Sequence, residues 1–502
     1  MDGLAWIRDL VDHQKGNVRR SQSSVDTRSQ ASFQRCIVEA GKPDGSLSEG
    51  LMKIILVLLD GLGDRSYKIL WYRTPLQAAF TPNLDSLASQ GCNGLFHASL
   101  PGQCLPSEIA HYLLFGYDPR EIPGRGLLEA VGAGVDFGDH DVLSMAHLSA
   151  VTWENGFPVL CHGPEVFHRD SQEVEALFHA ITPYETRGVQ FRLHKKPFIN
   201  DAILVISGAV SPLVSDSDPI IPGRKMARVV PLSNNEDPDK SHHTAQAMNE
   251  YLAYCHNVLE NHEVNRRRRE RNLPPANFLA TQRCGRRILY EPFKHRWGLS
   301  GMLIASGSVY GGLAHELGLT FVPVKDGKDP GEDLRERIRI ALNDGNHDFF
   351  HVHTKMPDEA AHTGDPERKK AVITSLDCGL DEMVEAVQNR DDLLVAVTAD
   401  HSTPSMSKLI HSGEPVPITL IGANVRRDDV HSFDEVHAAT GCLGFIRGRE
   451  LMLMLLNYAD RSSFLSNRLG NRERPWAPDD YESFTLKPVF PSRASTEISG
   501  RG

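Results

Sequence analysis

The 502-residue chain has no apolar run near the roughly 18 residues that a membrane-spanning helix needs, so we expect no membrane segment. Its eight cysteines are scattered and include no C-x-x-C pair, a pattern typical of reduced thiols rather than a disulfide framework. No apolar stretch follows a basic start, so the sequence predicts no secretory signal. Together these absences predict a cytoplasmic protein.

Basic residues are also fewer than acidic ones, 54 against 65, which gives a net charge of −11. A general nucleic-acid-binding protein needs a basic face, so we expect no nucleic-acid partner. A small anionic substrate stays possible, because a local metal site can outweigh the charge of the whole chain. The sequence does not indicate an oligomeric state.

Three segments read as buried strands, because each is a continuous run of β-branched, aliphatic or aromatic residues. They are Lys53–Leu59, Asp348–His353 and Leu393–Thr398. Strands of this kind, covered on both faces, are typical of the centre of a parallel sheet. Helical patterns lie between them, for instance at Pro82–Gln90 and Glu332–Leu342. This alternation predicts an α/β fold with a doubly wound, mostly parallel sheet.

The composition and the strand–helix pattern of the chain change in several places, and these changes predict four regions. Turn-rich pieces and a long helical stretch, His242–Glu260, interrupt the strand pattern, which resumes near Gly301 and so indicates a second α/β domain inserted into the first. The predicted regions are a disordered N-terminal extension (1–51), a core domain (52–141 and 297–466), an inserted domain (142–296) and a peripheral tail (467–502).

Carboxylate and imidazole side chains, which are potential metal ligands, follow two of the predicted strands. Asp60 ends the first, and Asp400 and His401 end the third, with His411 ten residues further on. In open α/β sheets, functional groups gather beyond the carboxyl ends of the strands. Taken singly, each aspartate also fits a helix cap or turn residue, and each histidine a surface residue. The recurrence of the pattern favours a metal site over these alternatives.

The second of the three strands is followed by Asp358 and His362. On a helix these side chains stand at i and i+4 on one face and can bind one ion together. A carboxylate with an imidazole suits zinc, manganese or iron. An exposed helix contact between the two is the alternative.

A possible nucleophile, Ser107, stands where a loop enters a predicted helix, with Glu108 next to it. A serine at this place is usually an N-cap, and a glutamate in the first turn fits that interpretation. The same position exposes the hydroxyl to a metal ion, which lowers the pKa of a serine and prepares it to attack phosphorus. Spacing alone does not choose between the two.

Read together, these segments resemble the alkaline phosphatase superfamily and, more narrowly, the archaeal-type 2,3-bisphosphoglycerate-independent phosphoglycerate mutases. The resemblance runs from Lys53 to about Asp460. Its ordered motifs are Val57–Asp64, Thr74–Leu87, Ser107–Pro119, Gly124–Gly134, His262–Asn277, Asp358–Asp365, Thr398–Pro404 and His411–Pro417.

The resemblance implies an enzyme that interconverts 3-phosphoglycerate and 2-phosphoglycerate through a phosphoserine at Ser107. It also implies two divalent metal ions, manganese first, with zinc, cobalt or magnesium possible. The ligands of one ion would be Asp60, Ser107, Asp400 and His401, and those of the other Asp358, His362 and His411. The inserted domain would close over a small phosphorylated substrate, bound by His111, Arg125, Arg169 and Lys355. An isolated lysine such as Lys355 also fits a solvated surface charge.

The chain departs from the family pattern in the inserted region. Where relatives carry the motif D-R-R-A-G-R, the stretch Phe167–Glu173 keeps only Arg169, and Ile220 replaces a histidine. The run Arg266–Arg269 is no substitute, since four successive arginines cannot share one helix face. These changes leave open a related phosphomutase or a phosphate- or phosphonate-ester hydrolase. A non-catalytic metabolite-binding descendant is disfavoured, because every implied metal ligand is present.

Overall fold

The structure is a computed structural model that describes residues 52–163, 172–196, 201–233 and 236–485. The predicted N-terminal extension and Arg169 lie outside the described residues. Within the described ranges, no helix combines the length and the apolar character needed to cross a membrane.

The described residues form fourteen strands. In chain order they are β1 (Lys53–Leu59), β2 (Cys92–His97), β3 (Val142–Glu154), β4 (Phe157–His162), β5 (Tyr184–Thr186), β6 (Val189–Lys195), β7 (Asp201–Ser207), β8 (Phe278–Gly285), β9 (Gly301–Ala305), β10 (Thr320–Pro323), β11 (Phe349–Thr354), β12 (Leu393–Thr398), β13 (Val416–Gly422) and β14 (Gly444–Arg447).

The α-helices of the same residues are α1 (Pro75–Ala78), α2 (Pro82–Ser89), α3 (Ser107–Leu114), α4 (Arg125–Gly132), α5 (Gln172–Ala180), α6 (Pro238–Glu260), α7 (Glu263–Glu270), α8 (Phe293–Trp297), α9 (Ser308–Leu317), α10 (Pro330–Asn343), α11 (Met356–Ala361), α12 (Pro366–Cys378), α13 (Asp381–Asn389) and α14 (Arg449–Tyr458).

The larger sheet has eight strands in the order β10-β9-β11-β1-β12-β13-β2-β14. Every neighbouring pair is parallel except those of β13, which runs antiparallel to both β12 and β2. The predicted α/β fold with a mostly parallel sheet is therefore confirmed. All six side chains of Ile54–Leu59 are fully buried. Since successive side chains point to opposite faces, both faces of the sheet are covered at β1.

The second sheet is antiparallel throughout. Its order is β4-β3-β7-β6-β5, and β8 also pairs with β3. Buried residues of this sheet and of α6, among them Leu204, Leu279 and Tyr251, form a separate apolar core. All its strands fall between residues 142 and 285, inside the segment predicted as an insertion; the domain boundaries themselves stay a prediction.

The predicted helices are present, and two of the three start earlier than the periodicity indicated. The predictions began at 242 and 332, whereas α6 begins at Pro238 and α10 at Pro330. In both, an aspartate side chain caps the helix and a proline follows at the first helical position. Proline has no N–H to lose at that position, so Asp-Pro is a start signal that apolar periodicity does not register.

Candidate metal centre

The topology brings the predicted ligands together. β11, β1 and β12 are adjacent and parallel, with Leu59 opposite Thr354 and Leu58 opposite Thr398. Their carboxyl ends therefore meet at one edge of the sheet, where Asp60, Asp358 and Asp400 follow within a few residues. The close approach of these loops requires a glycine at Gly61, whose φ is +67° and where a Cβ would lie 2.8 Å from Asp358 Oδ1.

Asp60, Asp400 and His401 form a first group of potential ligands. His401 Nε2 lies 3.4 Å from Asp60 Oδ1 and 3.2 Å from Asp400 Oδ2, and all three side chains are buried. In each carboxylate, the oxygen that does not face the His401 ring accepts hydrogen bonds. Asp400 Oδ1 accepts hydrogen bonds from the backbone N–H groups of Gly61 and His401. The two facing oxygens, Asp60 Oδ1 and Asp400 Oδ2, have no hydrogen-bond partner.

A second group consists of Asp358, His401 and His411, so that His401 belongs to both groups. Backbone pairing between Ser402 and Ser412 places the two histidine rings side by side, with centroids 3.8 Å apart. His411 Nε2 lies 3.5 Å from Asp358 Oδ1. His362, directly after α11, is exposed and places its Nε2 3.3 Å from Asp358 Oδ2.

Ser107 lies beside the first group. It is the first residue of α3, and Pro106 occupies the N-cap position without a side-chain capping bond. The capping alternative for Ser107 is therefore wrong. Its Oγ lies instead 3.1 Å from His401 Nε2, across 294 residues of sequence. The hydroxyl is thus directed at the potential metal ligands.

The electrostatics of these groups fit a bound cation. Burial and the charges of Asp60 and Asp358 raise the pKa of Asp400 well above its ordinary value. Burial lowers the pKa of His401 to about 4, so the imidazole is neutral at pH 7 and keeps a free lone pair. Crowded carboxylates, two unpartnered buried oxygens and a neutral imidazole are the donor set that a divalent transition metal takes.

Two residues that the sequence analysis missed orient Asp60. Tyr310 on α9 and His353 at the end of β11 both donate hydrogen bonds to Asp60 Oδ2, at 3.0 and 3.1 Å. Burial raises the pKa of Asp60, but the hydrogen bond from His353 and the charges of His401 and His353 together outweigh burial, and the net shift is downward. Such outer partners fix a ligand carboxylate in one rotamer. The sequence could have indicated His353, because histidines are unusual within a buried strand such as β11. No sequence pattern indicated Tyr310.

A buried lysine fixes the loops that carry the ligands. Lys369 is fully buried and donates to the backbone oxygens of Gly61, Gly63 and Thr403 at 2.8–2.9 Å. Its charge is paired with Asp64 at 3.2 Å. A single ammonium group thereby ties the turn after β1 to the turn after β12.

The substrate-binding residues predicted from the family are found in different places. His111 is fully buried behind the ligands, where its Nδ1 lies 2.7 Å from Ser107 O and 3.8 Å from Asp400 Oδ2. This position fits support of the α3 start better than substrate contact, which stays a prediction. Lys355 is half-buried, with its Nζ 5.1 Å from the centre of the Tyr310 ring.

Arg125 belongs to a charged network next to Ser107. Its Nη1 lies 3.3 Å from Glu108 Oε2, and its Nη2 lies 3.3 Å from Glu129 Oε1. The other oxygen of Glu108 accepts from Arg283 on β8, at 3.1 Å. Arg283 was not among the predicted site residues, because nothing in the local sequence distinguishes it from its arginine neighbours. The structure thus pairs two guanidinium groups with Glu108, the residue that follows Ser107.

Comparisons with known proteins agree with this geometry. Residues 52–458 match the model of the Metalloenzyme superfamily. The chain is 40% identical over 439 residues to the 2,3-bisphosphoglycerate-independent phosphoglycerate mutase 2 of Methanocaldococcus jannaschii, covering 86% of this chain and 99% of that protein. It is 36% identical to the corresponding mutase of Methanopyrus kandleri, covering 82% and 97%.

Solved structures give the same result. The cofactor-independent phosphoglycerate mutase of Thermoplasma acidophilum has a TM-score of 0.54 and 30% identity, covering 81% of this chain and 100% of that one. A Pyrococcus horikoshii protein has a TM-score of 0.65 and 27% identity, covering 83% and 99%. The chain therefore belongs to the 2,3-bisphosphoglycerate-independent phosphoglycerate mutase family within the Metalloenzyme superfamily, as its ordered motifs indicated.

Proposed function

We propose that this protein interconverts 3-phosphoglycerate and 2-phosphoglycerate and that Ser107 carries the phosphoryl group between the two positions. The observation that carries the proposal is the direction of the Ser107 hydroxyl, 3.1 Å from His401 Nε2 and beside two unpartnered carboxylate oxygens. The names of the relatives support the substrate, since proteins 40% and 36% identical are phosphoglycerate mutases that need no bisphosphoglycerate.

The proposed cofactors are two divalent metal ions, manganese first, with zinc, cobalt or magnesium as alternatives. Bound there, such ions supply positive charge that lowers the pKa of a serine hydroxyl and neutralises charge on a transferring phosphoryl group. The residues that would hold one ion are Asp60, Ser107, Asp400 and His401, and those for the other are Asp358, His362 and His411. His401 lies within ligand reach of both groups, so its removal would affect both sites.

The proposed reaction has two balanced steps at Ser107. Its oxygen forms a bond to the substrate phosphorus, the phosphorus bond to the glycerate oxygen breaks, and that oxygen leaves as a hydroxyl with the serine's proton. The neighbouring hydroxyl of the same glycerate then attacks the phosphoserine and returns the proton to Ser107 Oγ. A mutase must keep water out between the steps, because water would release phosphate from the same intermediate.

Arg125 and Arg283 are the proposed anchors for the anionic groups of the substrate. Guanidinium groups bind phosphate and carboxylate with paired N–H donors. Lys355 adds a half-buried cation beside Tyr310, and the family resemblance adds Arg169. Arg283, paired with the residue that follows Ser107, supplies an arginine in a chain whose Phe167–Glu173 segment has few.

The experiment that tests this function follows 3-phosphoglycerate by ³¹P NMR with the manganese-loaded protein. Appearance of 2-phosphoglycerate without inorganic phosphate supports the mutase. Inorganic phosphate alone assigns a phosphate-ester hydrolase, and an unchanged spectrum assigns a different substrate. The Ser107→Ala variant, purified and loaded in the same way, is the control for a contaminating enzyme and should leave the spectrum unchanged.

A further inference from the structure

Two cysteines far apart in sequence meet at the edge of the larger sheet. Cys92 is the first residue of β2, and Cys442 lies two residues before β14. The two strands are parallel with Gly94 opposite Gly444, so Cys92 and Cys442 occupy facing positions just beyond the paired residues. Their Sγ atoms are 2.9 Å apart, although 350 residues separate them in the chain.

A carboxylate, Asp428, also approaches the pair, so a metal site has to be considered. Its Oδ2 accepts from the backbone N–H groups of Asn93 and Cys442, at 2.7 and 2.9 Å. Its Oδ1 accepts from Asn93 Nδ2 at 2.8 Å and from the Val430 N–H at 3.1 Å. A carboxylate offers about four lone-pair positions, and these four bonds take them. Asp428 therefore fixes the local backbone, and only the two sulfur atoms remain free to react.

We propose that Cys92 and Cys442 are a redox modification site that closes to a disulfide on exchange with a small-molecule disulfide such as oxidised glutathione. Facing positions on adjacent parallel strands are about 4.8 Å apart, within the Cα separations of roughly 4.4–6.8 Å that disulfides span. The sulfur atoms need to approach by only about 0.9 Å to reach the S–S bond length.

The two thiols differ in exposure to solvent, and this difference sets the order of the two exchange steps. Cys442 is exposed, whereas Cys92 is buried and burial raises its pKa to about 12. The Cys442 thiolate attacks one sulfur of oxidised glutathione and expels one glutathione thiolate. The Cys92 sulfur then attacks the Cys442 sulfur of the mixed disulfide, expels the second glutathione thiolate and passes its proton to it. Two protein thiols are oxidised, one glutathione disulfide is reduced, and the two thiol protons pass to the glutathione thiolates.

The position of the bond predicts its effect. Cys92 starts β2, whereas His97 at the opposite end leads toward Ser107, so the bond forms away from the candidate metal centre. It joins β14, at the edge of the sheet, to β2 through a loop of 350 residues. Cross-links that close long loops restrict the unfolded chain most. We therefore expect the oxidised protein to melt at a higher temperature than the reduced protein, with turnover little changed.

The test treats the whole protein with oxidised glutathione, blocks free thiols with an alkylating agent and maps peptides without reduction. The expected result is a linked peptide containing Cys92 and Cys442, lost again on treatment with dithiothreitol. Cys378→Ser, which removes another exposed thiol, should give the same linked peptide, and Cys442→Ser should leave Cys92 free for alkylation after unfolding. If both cysteines of the wild-type protein stay alkylatable, or if Cys442 stops at the glutathione adduct, the proposal is wrong.

A measurement of metal content distinguishes the proposed redox site from a thiolate metal site. Zinc content is determined for the wild-type protein and Cys442→Ser after removal of loosely bound ions. Equal contents are expected. Loss of one zinc ion in Cys442→Ser would assign a thiolate metal site and overturn the redox proposal. Because Cys442 is exposed, a serine there should leave the melting temperature of the reduced protein unchanged, which checks that the variant folds.

Discussion

Arg283 Nη1 lies 3.1 Å from Glu108 Oε1, and Glu108 directly follows Ser107 on α3. The bond joins β8 of the antiparallel sheet to the helix that carries the proposed nucleophile. Glu108 also binds Arg125 through its other oxygen, at 3.3 Å. A buried carboxylate thus pairs with two guanidinium groups at the start of the helix that begins with Ser107.

Replacing Arg283 with alanine should weaken substrate binding and leave the metal site intact. A charge-assisted hydrogen bond contributes about 1.5–3 kcal/mol, so we expect KM for 3-phosphoglycerate to rise roughly 10- to 100-fold. Arg283→Lys should recover part of this, because lysine keeps the charge and loses the paired donors. Steady-state kinetics with a metal assay are the measurement. Arg287→Ala is the control, because Arg287 lies in the same segment but is paired with Glu316. Equal KM values for Arg283→Ala and wild type would exclude a role of Arg283 in substrate binding.

Tyr310→Phe should lower metal affinity through Asp60. The substitution removes one of the two hydrogen bonds to Asp60 Oδ2 and leaves the one from His353. Loss of an outer partner of a metal ligand typically costs about 10- to 100-fold in affinity, and we expect the lower end because one partner remains. Titration with Mn²⁺ under a competing chelator measures the change. Tyr67→Phe, which removes a hydroxyl bonded to Asp64 instead, should bind Mn²⁺ as the wild type does.

Removal of His401 should affect both proposed ions, whereas removal of Asp358 should affect one. His401 lies within ligand reach of both groups, and Asp358 belongs to the second alone. We expect His401→Ala to bind less metal per chain than Asp358→Ala when both are measured by elemental analysis. His437→Ala changes a histidine that is also paired with an aspartate, Asp434, and should keep the full metal content. Equal losses in the two site variants would contradict the shared position of His401.

Glu129 should contribute to stability in a pH-dependent manner. Burial raises its pKa, but Lys196 and Arg125 outweigh burial and bring it down to about 2. Because the folded pKa lies below the unfolded value, this contribution is present above about pH 4.5 and is lost as the pH falls toward 2. The shift corresponds to roughly 3 kcal/mol at neutral pH.

The Glu129→Gln variant tests this contribution by urea unfolding in the presence of a chelator. The difference in unfolding free energy from the wild type should be largest near pH 7 and should shrink below pH 4.5. Glu175→Gln, at an exposed position on α5, should unfold as the wild type does across the range. A difference for Glu129→Gln that stays constant with pH would assign its effect to packing rather than charge.

The central strands and the ends that carry ligands were predictable because both depend on local pattern. The buried run of β1 and the Asp60 that follows it are adjacent in sequence, and parallel pairing brings such ends to one edge. The helix positions followed from periodicity, except where an Asp-Pro pair starts a helix early.

The parts that were not predictable depend on contacts between distant segments. Tyr310 reaches Asp60 from α9, and Arg283 reaches Glu108 from β8. Neither carries a local signal that separates it from an ordinary core tyrosine or surface arginine. Nothing in the sequence indicates that Cys92 and Cys442 lie close together, because only the pairing of β2 with β14 makes them neighbours. The antiparallel second sheet was likewise hidden, since its strands alternate with turns rather than with regular helices.

The central claim is that Ser107 carries the phosphoryl group, and mass spectrometry of the protein tests it most directly. The manganese-loaded protein is mixed with 3-phosphoglycerate, quenched in acid during turnover and digested, with Ser107→Ala treated in parallel. The account predicts a phosphorylated peptide in which Ser107 is the modified residue, and a variant with neither label nor turnover. Full turnover by Ser107→Ala, or phosphate on another residue, would contradict it.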